Sequence, residues 1–388
     1  HRLNSIAKDR QMPKVLISDN MSPFAAEKFK ERGIEVDMIT GMRAEELKNC
    51  IGDYHGLAVR SATKVTAELL EVAKNIKVIG RAGIGVDNID IPEASAKGIV
   101  VMNTPFGNSI TTAEHSIAMM FALARDIPQA NTSTHAGKWE KSKFMGVELY
   151  RKTLGIVGCG NIGSIVADRA LGLKMKVMAY DPFLSTERAL EIGVDKVDLD
   201  ELLSRADFIS LHTPMTDATK GIIDAGAITQ MKDDVRIINC ARGGLIVEED
   251  LKAALDIGKV GGAAVDVFSE EPAKTNILFG HEKVVATPHL GASTNEAQVN
   301  VAIQVAEQMA DYLLTGAVIN ALNMPSVSAE DAPKLKPYMR LAEQLGSFAG
   351  QVTKTAIKKV SVDYCGHVSG LNTKPLTAVV LKDYSRPY

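Results

Sequence analysis

From Pro13 to His289 short β-branched runs alternate with helix-like stretches, and few folds accept that rhythm. The first series reads "PKVLISD", "FAAEKFKERG", "IEVDMIT", "AEELKNCIG", "GLAVRS", "TAELLEVAKN", "IKVIG", "PEASAKG" and "IVVMN". Parallel strands need a long crossover, usually a helix, so this order predicts βαβ units and a sheet covered on both faces. A long helical segment, "SITTAEHSIAMMFALARDIPQANTSTHAGKWE", separates it from a second series. That series starts at "TLGIVGCG" and runs through "KVMAYD", "FISLHTP", "VRIINCA", "GAAVDVF" and "KVVATPHL". A chain of 388 residues is long enough for two cores, so the fold class is α/β with two doubly wound parallel-sheet domains.

Beyond "GAST" the pattern is again helical, with Val299, Ile303, Val305 and Met309 at roughly helical spacing. Residues 325–337, "PSVSAEDAPKLKP", read as a linker by composition, and 326–388 as that linker plus a partial C-terminal domain. Its expected elements are a helix over "RLAEQLGSFAGQV", an alternating strand "VSVDY" and a last helical start. Residues 1–11 are polar, lack the apolar centre of a signal peptide, and read as a leader or tag remnant before Met12.

Charge and cysteine usage narrow the partners. The 44 basic and 47 acidic side chains leave a net charge of −3, which gives no field to hold nucleic acid or an anionic membrane. "IAMMFALA" stops at Arg125, far short of the ~20 apolar residues that span a bilayer, and reads as a buried helix. Cys50, Cys159, Cys240 and Cys365 form no CxxC pair, so neither a zinc cluster nor a disulfide framework is expected, and a cytoplasmic setting fits.

"TLGIVGCGNIG" places Gly158, Gly160 and Gly163 in a GxGxxG array between an apolar strand and the helical "SIVADRAL". The three glycines serve a tight turn, close approach of a pyrophosphate, and close packing of helix on strand. The helix N-terminus then offers N–H groups and a partial positive charge to the phosphates. Asp181 ends the next strand eighteen residues beyond Gly163, the place of a carboxylate that binds both ribose hydroxyls. It would repel a 2′-phosphate, and "PFL" after it supplies no arginine, so NAD is expected rather than NADP.

Three further strand ends carry polar groups: Arg242 in "NCARGG", Asp266, Glu270 and Glu271 in "DVFSEEP", and His289 in "TPHLGAS". Ligands of a doubly wound sheet bind outside the carboxyl ends of strands, so all three would border the nicotinamide. Oxidising an alcohol by hydride transfer needs a base, a cation for the developing alkoxide or a neighbouring carboxylate, and a group that orients the base. Histidine, arginine and glutamate supply that set. Singly, each has a plain alternative: a surface arginine between turn glycines, a loop carboxylate, a strand-end histidine on backbone.

"GIVGCGNIG", "HTPMTDATKGII", "NCARGGLIVEEDL", "GAAVDVFSEEP" and "TPHLGAST" together resemble the D-isomer-specific 2-hydroxyacid dehydrogenase family, in order and spacing, over about residues 12–325. The tail "IKKVSVDYCGHVSGLNTKPL" is similar to the intervening region of its long members. The resemblance implies a flavodoxin-like substrate domain made of 12–105 and 294–325, a Rossmann-like NAD domain over 106–293, and a cleft between them. It implies His289 as proton acceptor, Glu271 as its partner and Arg242 as the anchor of the substrate carboxylate. Ile84, Asn161, Ile162, Thr213, Cys240, Asp266, Gly291 and Ala292 would then border NAD beside the glycine loop. "GRAGIGVDNIDI" and "GKWEKSKFMG" resemble the members acting on a phosphorylated acid. Arg60, Arg81 and Lys141, with backbone N–H groups from Ala82 and Gly83 to Gly85, would take the phosphate.

The implied reaction is oxidation of 3-phospho-D-glycerate, the entry to L-serine synthesis, by a homodimer or homotetramer joined through the long helical segment. Two alternatives stay open on sequence: a hydroxypyruvate or glyoxylate reductase with the same triad, and an NAD-binding corepressor whose fold serves as a partner-binding module. His115 reads as a core or interface histidine, and His212 as packing beside NAD.

Overall fold

The computed structural model describes residues 12–328, 330–353 and 359–384; the expected leader, 1–11, lies outside them. The chain divides into two compact units, one made of residues up to Gly107 with those from Asn295 onward, the other of Asn108–Thr294.

In the first unit β1 (Lys14–Ile17), β2 (Glu35–Met38), β3 (Gly56–Val59), β4 (Val78–Arg81) and β5 (Val100–Asn103) form a parallel sheet in the order β2-β1-β3-β4-β5. That is the flavodoxin-like winding. Alternate side chains leave opposite faces of a strand, so Val15 and Ile17 join one core with Phe29, Val305 and Met309, while Leu16 joins another with Leu47, Leu69 and Leu70. Helices cover both faces, which is why β3 is buried throughout and reads as a continuous apolar run. The helix Asn295–Thr315 crosses directly over β4: a Cβ on Gly80 would stand 2.3 Å from Met309 Sδ and 2.6 Å from Val305 Cγ2.

The segment after that helix closes the β5 edge. Met102 and Ala321 form an antiparallel bridge, and the Leu322 N–H donates to the Val101 carbonyl at 2.8 Å. The Asn323 side chain accepts from the Val101 N–H at 2.9 Å and donates to the Ile99 carbonyl at 2.8 Å and Ser95 Oγ at 3.0 Å. An amide side chain thus occupies backbone groups that an open edge strand would leave unpaired.

The C-terminal residues differ from the sequence reading in two places. A helix, Ala332–Val352, begins inside the stretch read as linker, with proline in its first turn where no N–H is missed. "VSVDY" carries no strand, since a lone alternating pentapeptide needs a sheet edge to join. Ala332, Leu335 and Leu376 pack in the first unit's core.

The second unit holds β6 (Thr153–Val157), β7 (Lys176–Tyr180), β8 (Asp195–Lys196), β9 (Phe208–Leu211), β10 (Val235–Asn239), β11 (Val260–Val265) and β12 (Val284–Ala286). Their order, β12-β11-β10-β9-β6-β7-β8, is the Rossmann winding, and every pairing is parallel. The helix Ser109–Ala124 buries Met119, Met120 and Leu123 but leaves Phe121 exposed, so it is buried on one side only. Among the described residues no helix is long and apolar enough to cross a membrane.

Asn323→Ala leaves the Val101 N–H and the Ile99 carbonyl without these partners. It is expected to lower the unfolding free energy by about 2 kcal/mol. Denaturant unfolding measures this; a change under about 0.5 kcal/mol would mean that backbone pairing alone closes the edge.

Candidate active site

Because the second sheet is parallel, the loops after β6, β7, β9, β10, β11 and β12 all leave one edge. The order reverses at β6, between β7 and β9, where a crevice for ligands opens. Gly158 has φ of 91°, and a Cβ there would meet the His212 carbonyl at 2.7 Å and the Thr213 nitrogen at 2.9 Å. The glycine loop therefore lies against the loop after β9, which brings Thr213 to the crevice. A Cβ on Gly163 would stand 2.1 Å from the Gly158 carbonyl, the close packing expected of the third glycine. A Cβ on Gly160 would meet no protein atom within 4 Å, so the approach to the helix Asn161–Gly172 stays open.

Asp181 is clamped over this loop. Its Oδ2 accepts from the Cys159 N–H at 2.8 Å and its Oδ1 from the Phe183 N–H at 2.8 Å. Each oxygen keeps a lone pair for a ribose hydroxyl. Burial pushes the Cys159 thiol up to about 11, so it stays neutral. An open glycine turn, a helix N-terminus carrying Asn161 and Ile162, and a fixed carboxylate at the end of β7 together fit NAD.

In the loop after β12, the last strand of the sheet order, His289 sits in the left-handed region with φ of 56°, uncommon for any residue but glycine. Its N–H donates to the Asp266 carbonyl at 2.9 Å and the Thr287 carbonyl at 3.0 Å. The turn aims the ring at Glu271, whose Oε2 lies 2.6 Å from Nδ1. The other Glu271 oxygen accepts from the Phe268 N–H at 3.0 Å. Burial pushes the Glu271 carboxyl up, but His289 and the Phe268 N–H outweigh it and hold it below its ordinary range. Nδ1 therefore carries a proton toward a carboxylate, and Nε2 is left to accept one.

The neighbouring loops are tied to this pair. Asn239 brackets the turn before Arg242, accepting from the Ala241 N–H at 3.1 Å and donating to the Arg242 carbonyl at 2.9 Å. A Cβ on Gly243 would stand 1.7 Å from the Phe268 carbonyl, so the arginine's turn is pressed against the loop that carries Glu271. Glu248 fastens that loop from below, accepting from the Ser269 N–H at 2.8 Å and from Asn276 Nδ2 at 2.7 Å.

Some residues expected to face a ligand are buried or bonded within the protein. Asp266 and Cys240, expected to border NAD, are 0% and 4% exposed. Asp266 turns both oxygens to the neighbouring loop after β12, accepting from Thr287 Oγ1 at 2.6 Å, the Leu290 N–H at 2.7 Å and the Gly291 N–H at 2.8 Å. Gly291, held by that bond, is buried, and Ala292 after it is half-buried. Ala82 and Gly83, expected to offer N–H groups to a phosphate, already donate to the Val59 carbonyl at 2.9 Å and Thr104 Oγ1 at 2.7 Å. In this loop only the N–H groups of Ile84 and Gly85 remain as candidates.

Within the first unit, Arg60 follows β3 and Arg81 ends its neighbour β4, and the loop carrying Arg60 is tied by hydrogen bonds. Asp19 accepts from the Arg60 N–H at 2.6 Å and from Thr63 Oγ1 at 2.6 Å, while Asn88 Nδ2 donates to the Arg60 carbonyl at 2.7 Å. The Arg81 guanidinium folds over Gly83. Lys141, in the second unit, stands exposed in a short turn beside Trp139, itself 86% exposed.

Sequence reasoning missed Thr287, Glu248 and above all His115. His115 Nε2 lies 3.3 Å from Asp266 Oδ1, so this histidine belongs to the site. No motif marks it; only the fold brings the middle of a helix under a strand end. His115, Cys240 and Asp266 gather ligating atoms within 4.8 Å, but the carboxylate already takes three donors from the loop after β12. The set therefore reads as a hydrogen-bond network.

His212 adds a pH dependence. Its Nε2 pairs with Ser210 Oγ at 2.8 Å, its Nδ1 is enclosed without a partner, and burial pushes its pKa down to about 4. The unfolded chain, with a histidine near ~6.5, takes up this proton first as pH falls. Stability therefore drops from about pH 6.5 to about 4, by up to about 1.4 kcal/mol per unit from this group. Unfolding followed across that range should show a shallower slope for His212→Gln; equal slopes would remove His212 as the cause.

Comparison with known proteins gives the same family from three directions. Residues 117–291 match D-isomer specific 2-hydroxyacid dehydrogenase, NAD binding domain, and 334–388 match D-3-phosphoglycerate dehydrogenase intervening domain. The D-3-phosphoglycerate dehydrogenase of Synechocystis sp. is 48% identical over 96% of this chain and 67% of its own length. That of Archaeoglobus fulgidus is 47% identical over 96% of this chain and 71% of its own. Among solved structures, D-lactate dehydrogenase from Aquifex aeolicus, complexed with NAD and lactic acid, is similar with a TM-score of 0.71 at 28% identity. The match covers 81% of this chain and 100% of that one. A glyoxylate reductase from Paecilomyes thermophila is similar with a TM-score of 0.74 at 28% identity, over 80% and 98% of the two chains. The glycine turn with its fixed carboxylate, the histidine–glutamate pair and these likenesses agree: the chain belongs to the D-isomer specific 2-hydroxyacid dehydrogenase family.

Proposed function

We propose that the chain oxidises 3-phospho-D-glycerate to 3-phosphooxypyruvate, the first step of L-serine biosynthesis, with NAD as hydride acceptor. The observation that carries the chemistry is the 2.6 Å contact between His289 Nδ1 and Glu271. Substrates follow from the relatives named for D-3-phosphoglycerate, at 47–48% identity.

His289 Nε2 removes the hydroxyl proton as the substrate's C2 hydride leaves. The ionised Glu271 stabilises the imidazolium that forms and keeps the ring's tautomer and orientation fixed. Arg242 supplies a permanent, planar charge for the substrate carboxylate and the growing carbonyl. Oxidation needs His289 neutral, and the reverse reduction needs it protonated. We assign the phosphate to Arg60 and Arg81, helped by the N–H groups of Ile84 and Gly85, with Lys141 as a further cation. Gly158, Gly160, Asn161, Ile162, Gly163, Asp181 and Thr213 would hold NAD, with Ile84 and Ala292 as further residues to border it.

A homodimer or homotetramer is supported by the exposed apolar groups on the helical segment and the turn after it: Phe121, Ile127, Trp139 and Met145. A reducing cytoplasm suits Cys50, Cys159, Cys240 and Cys365, all free thiols.

His289→Ala is expected to cut kcat by about 10³-fold while NADH affinity, read by fluorescence titration, changes by less than about threefold. Undiminished turnover would sink this assignment. Arg81→Gln is expected to raise KM for 3-phosphoglycerate by about tenfold or more and to leave reduction of unphosphorylated hydroxypyruvate nearly unchanged. Equal losses on both substrates would remove Arg81 from phosphate recognition.

A further inference from the structure

We propose that His115 is a positioning residue of this site: its Nε2–H holds the Asp266 carboxylate, from which the whole Thr287–Gly291 segment carrying His289 is suspended. The proposal rests on the reading of His289 as the proton acceptor.

Asp266 is wholly buried, and its acceptors order that segment residue by residue. Oδ1 takes the Thr287 hydroxyl at 2.6 Å and the Leu290 N–H at 2.7 Å, Oδ2 takes the Gly291 N–H at 2.8 Å, and the backbone carbonyl takes the His289 N–H at 2.9 Å. The left-handed turn at His289, with φ of 56°, is fixed between these bonds. A buried carboxylate persists only while its lone pairs are occupied by donors.

The proton on His115 can be placed from its neighbours. Nε2 lies 3.3 Å from Asp266 Oδ1 and 3.4 Å from Thr287 Oγ1. The single Thr287 hydroxyl hydrogen already points at Asp266, so its oxygen presents lone pairs to the ring. An Nε2 lone pair would then face two acceptors; Nε2 therefore carries the hydrogen and shares it between them. The other titratable groups facing Asp266 are Cys240 at the end of β10, and Glu271 and His289 on the loops after β11 and β12. Burial pushes the Cys240 thiol up to about 12, so it contributes no charge, and Glu271 is a like charge that disfavours a second carboxylate. His115 works against that repulsion. Burial pushes the Asp266 carboxyl up, and the donors, His115 foremost, hold it below its ordinary range.

Without the ring donor the Asp266 carboxylate loses one of the groups that hold it ionised, and it takes up a proton at higher pH than before. A carboxylic acid presents a hydrogen where a backbone N–H needs an acceptor, so the segment loosens and His289 loses its aim. His115→Phe keeps the ring's volume and removes the donor. It is expected to lower kcat for 3-phosphoglycerate oxidation by about tenfold to a hundredfold, because small displacements of a catalytic group cost that much. The acid limb of kcat/KM is expected to move up by about one pH unit. His115→Gln, which restores a side-chain N–H, should recover most of both changes. Asp266→Asn should reproduce the rate loss, and the double variant should lose little more than either single one.

A His115→Phe enzyme with the parental rate and acid limb overturns the proposal. So does equal impairment of the Phe and Gln variants, which marks a packing role, or full additivity with Asp266→Asn. If the Phe variant does not fold, His115→Leu takes its place with the same expectations. His289→Ala, assayed in parallel, separates the two readings: retained turnover there removes His289 as the base. An inactive His289→Ala beside an unaltered His115→Phe removes only the role given to His115.

Discussion

Every chemically active loop of the second unit leaves one edge of one sheet because all of its strands run parallel. In an antiparallel sheet, successive turns would alternate between edges, and the residues of a site would be split between them. Here Gly160, Asp181, Thr213, Arg242, Glu271 and His289 are spread over about a hundred and thirty positions, and parallel winding returns each to the same side. The winding in turn depends on buried helices such as Ser109–Ala124, and one of those helices supplies His115 to the strand ends it covers.

How much of this was legible in the sequence depended on how local the cause was. The glycine turn and Asp181 were readable because their constraint is contained within one βαβ unit: turn, helix start and next strand lie within thirty residues. Arg242, Glu271 and His289 were readable as strand-end polar groups, since period and composition mark where strands stop. The Asp266 assignment failed for a reason of direction. Alternation places a residue at a strand end but does not say whether its side chain turns outward to a ligand or inward to a neighbouring loop. Ala82 and Gly83 failed similarly, since pairing with Val59 and Thr104 depends on how two loops stack. Asn323, reaching across to β5 from over two hundred positions away, left no sequence signal at all.

The C-terminal stretch shows the opposite limit. Proline, serine and charge in 325–337 suggested a linker, yet Pro333 is compatible with a helix when it falls in the first turn. "VSVDY" alternates as a strand would, but alternation is only half of a strand; the other half is an edge with unpaired backbone groups. The β5 edge of the first sheet is already closed by residues 320–323. Sequence period reports what a segment could bury, and tertiary structure decides whether a surface exists to bury it.

Two carboxylates serve one histidine, and their surroundings give them different work. Glu271 is part-exposed and contacts the ring directly, so its charge answers the proton that His289 gains in oxidation. Asp266 is fully enclosed; its backbone carbonyl takes the His289 N–H and its carboxylate takes Thr287, Leu290 and Gly291, so its charge serves geometry. Exchanging the two roles would fail on both counts. A wholly buried carboxylate turned to Thr287, Leu290 and Gly291 is not placed to face a ring whose charge changes each turnover. A part-exposed one, hydrated and mobile, could not hold a non-glycine residue in a left-handed turn that costs of order 1 kcal/mol. The site thus separates the group that shares charge with the base from the group that fixes where the base stands.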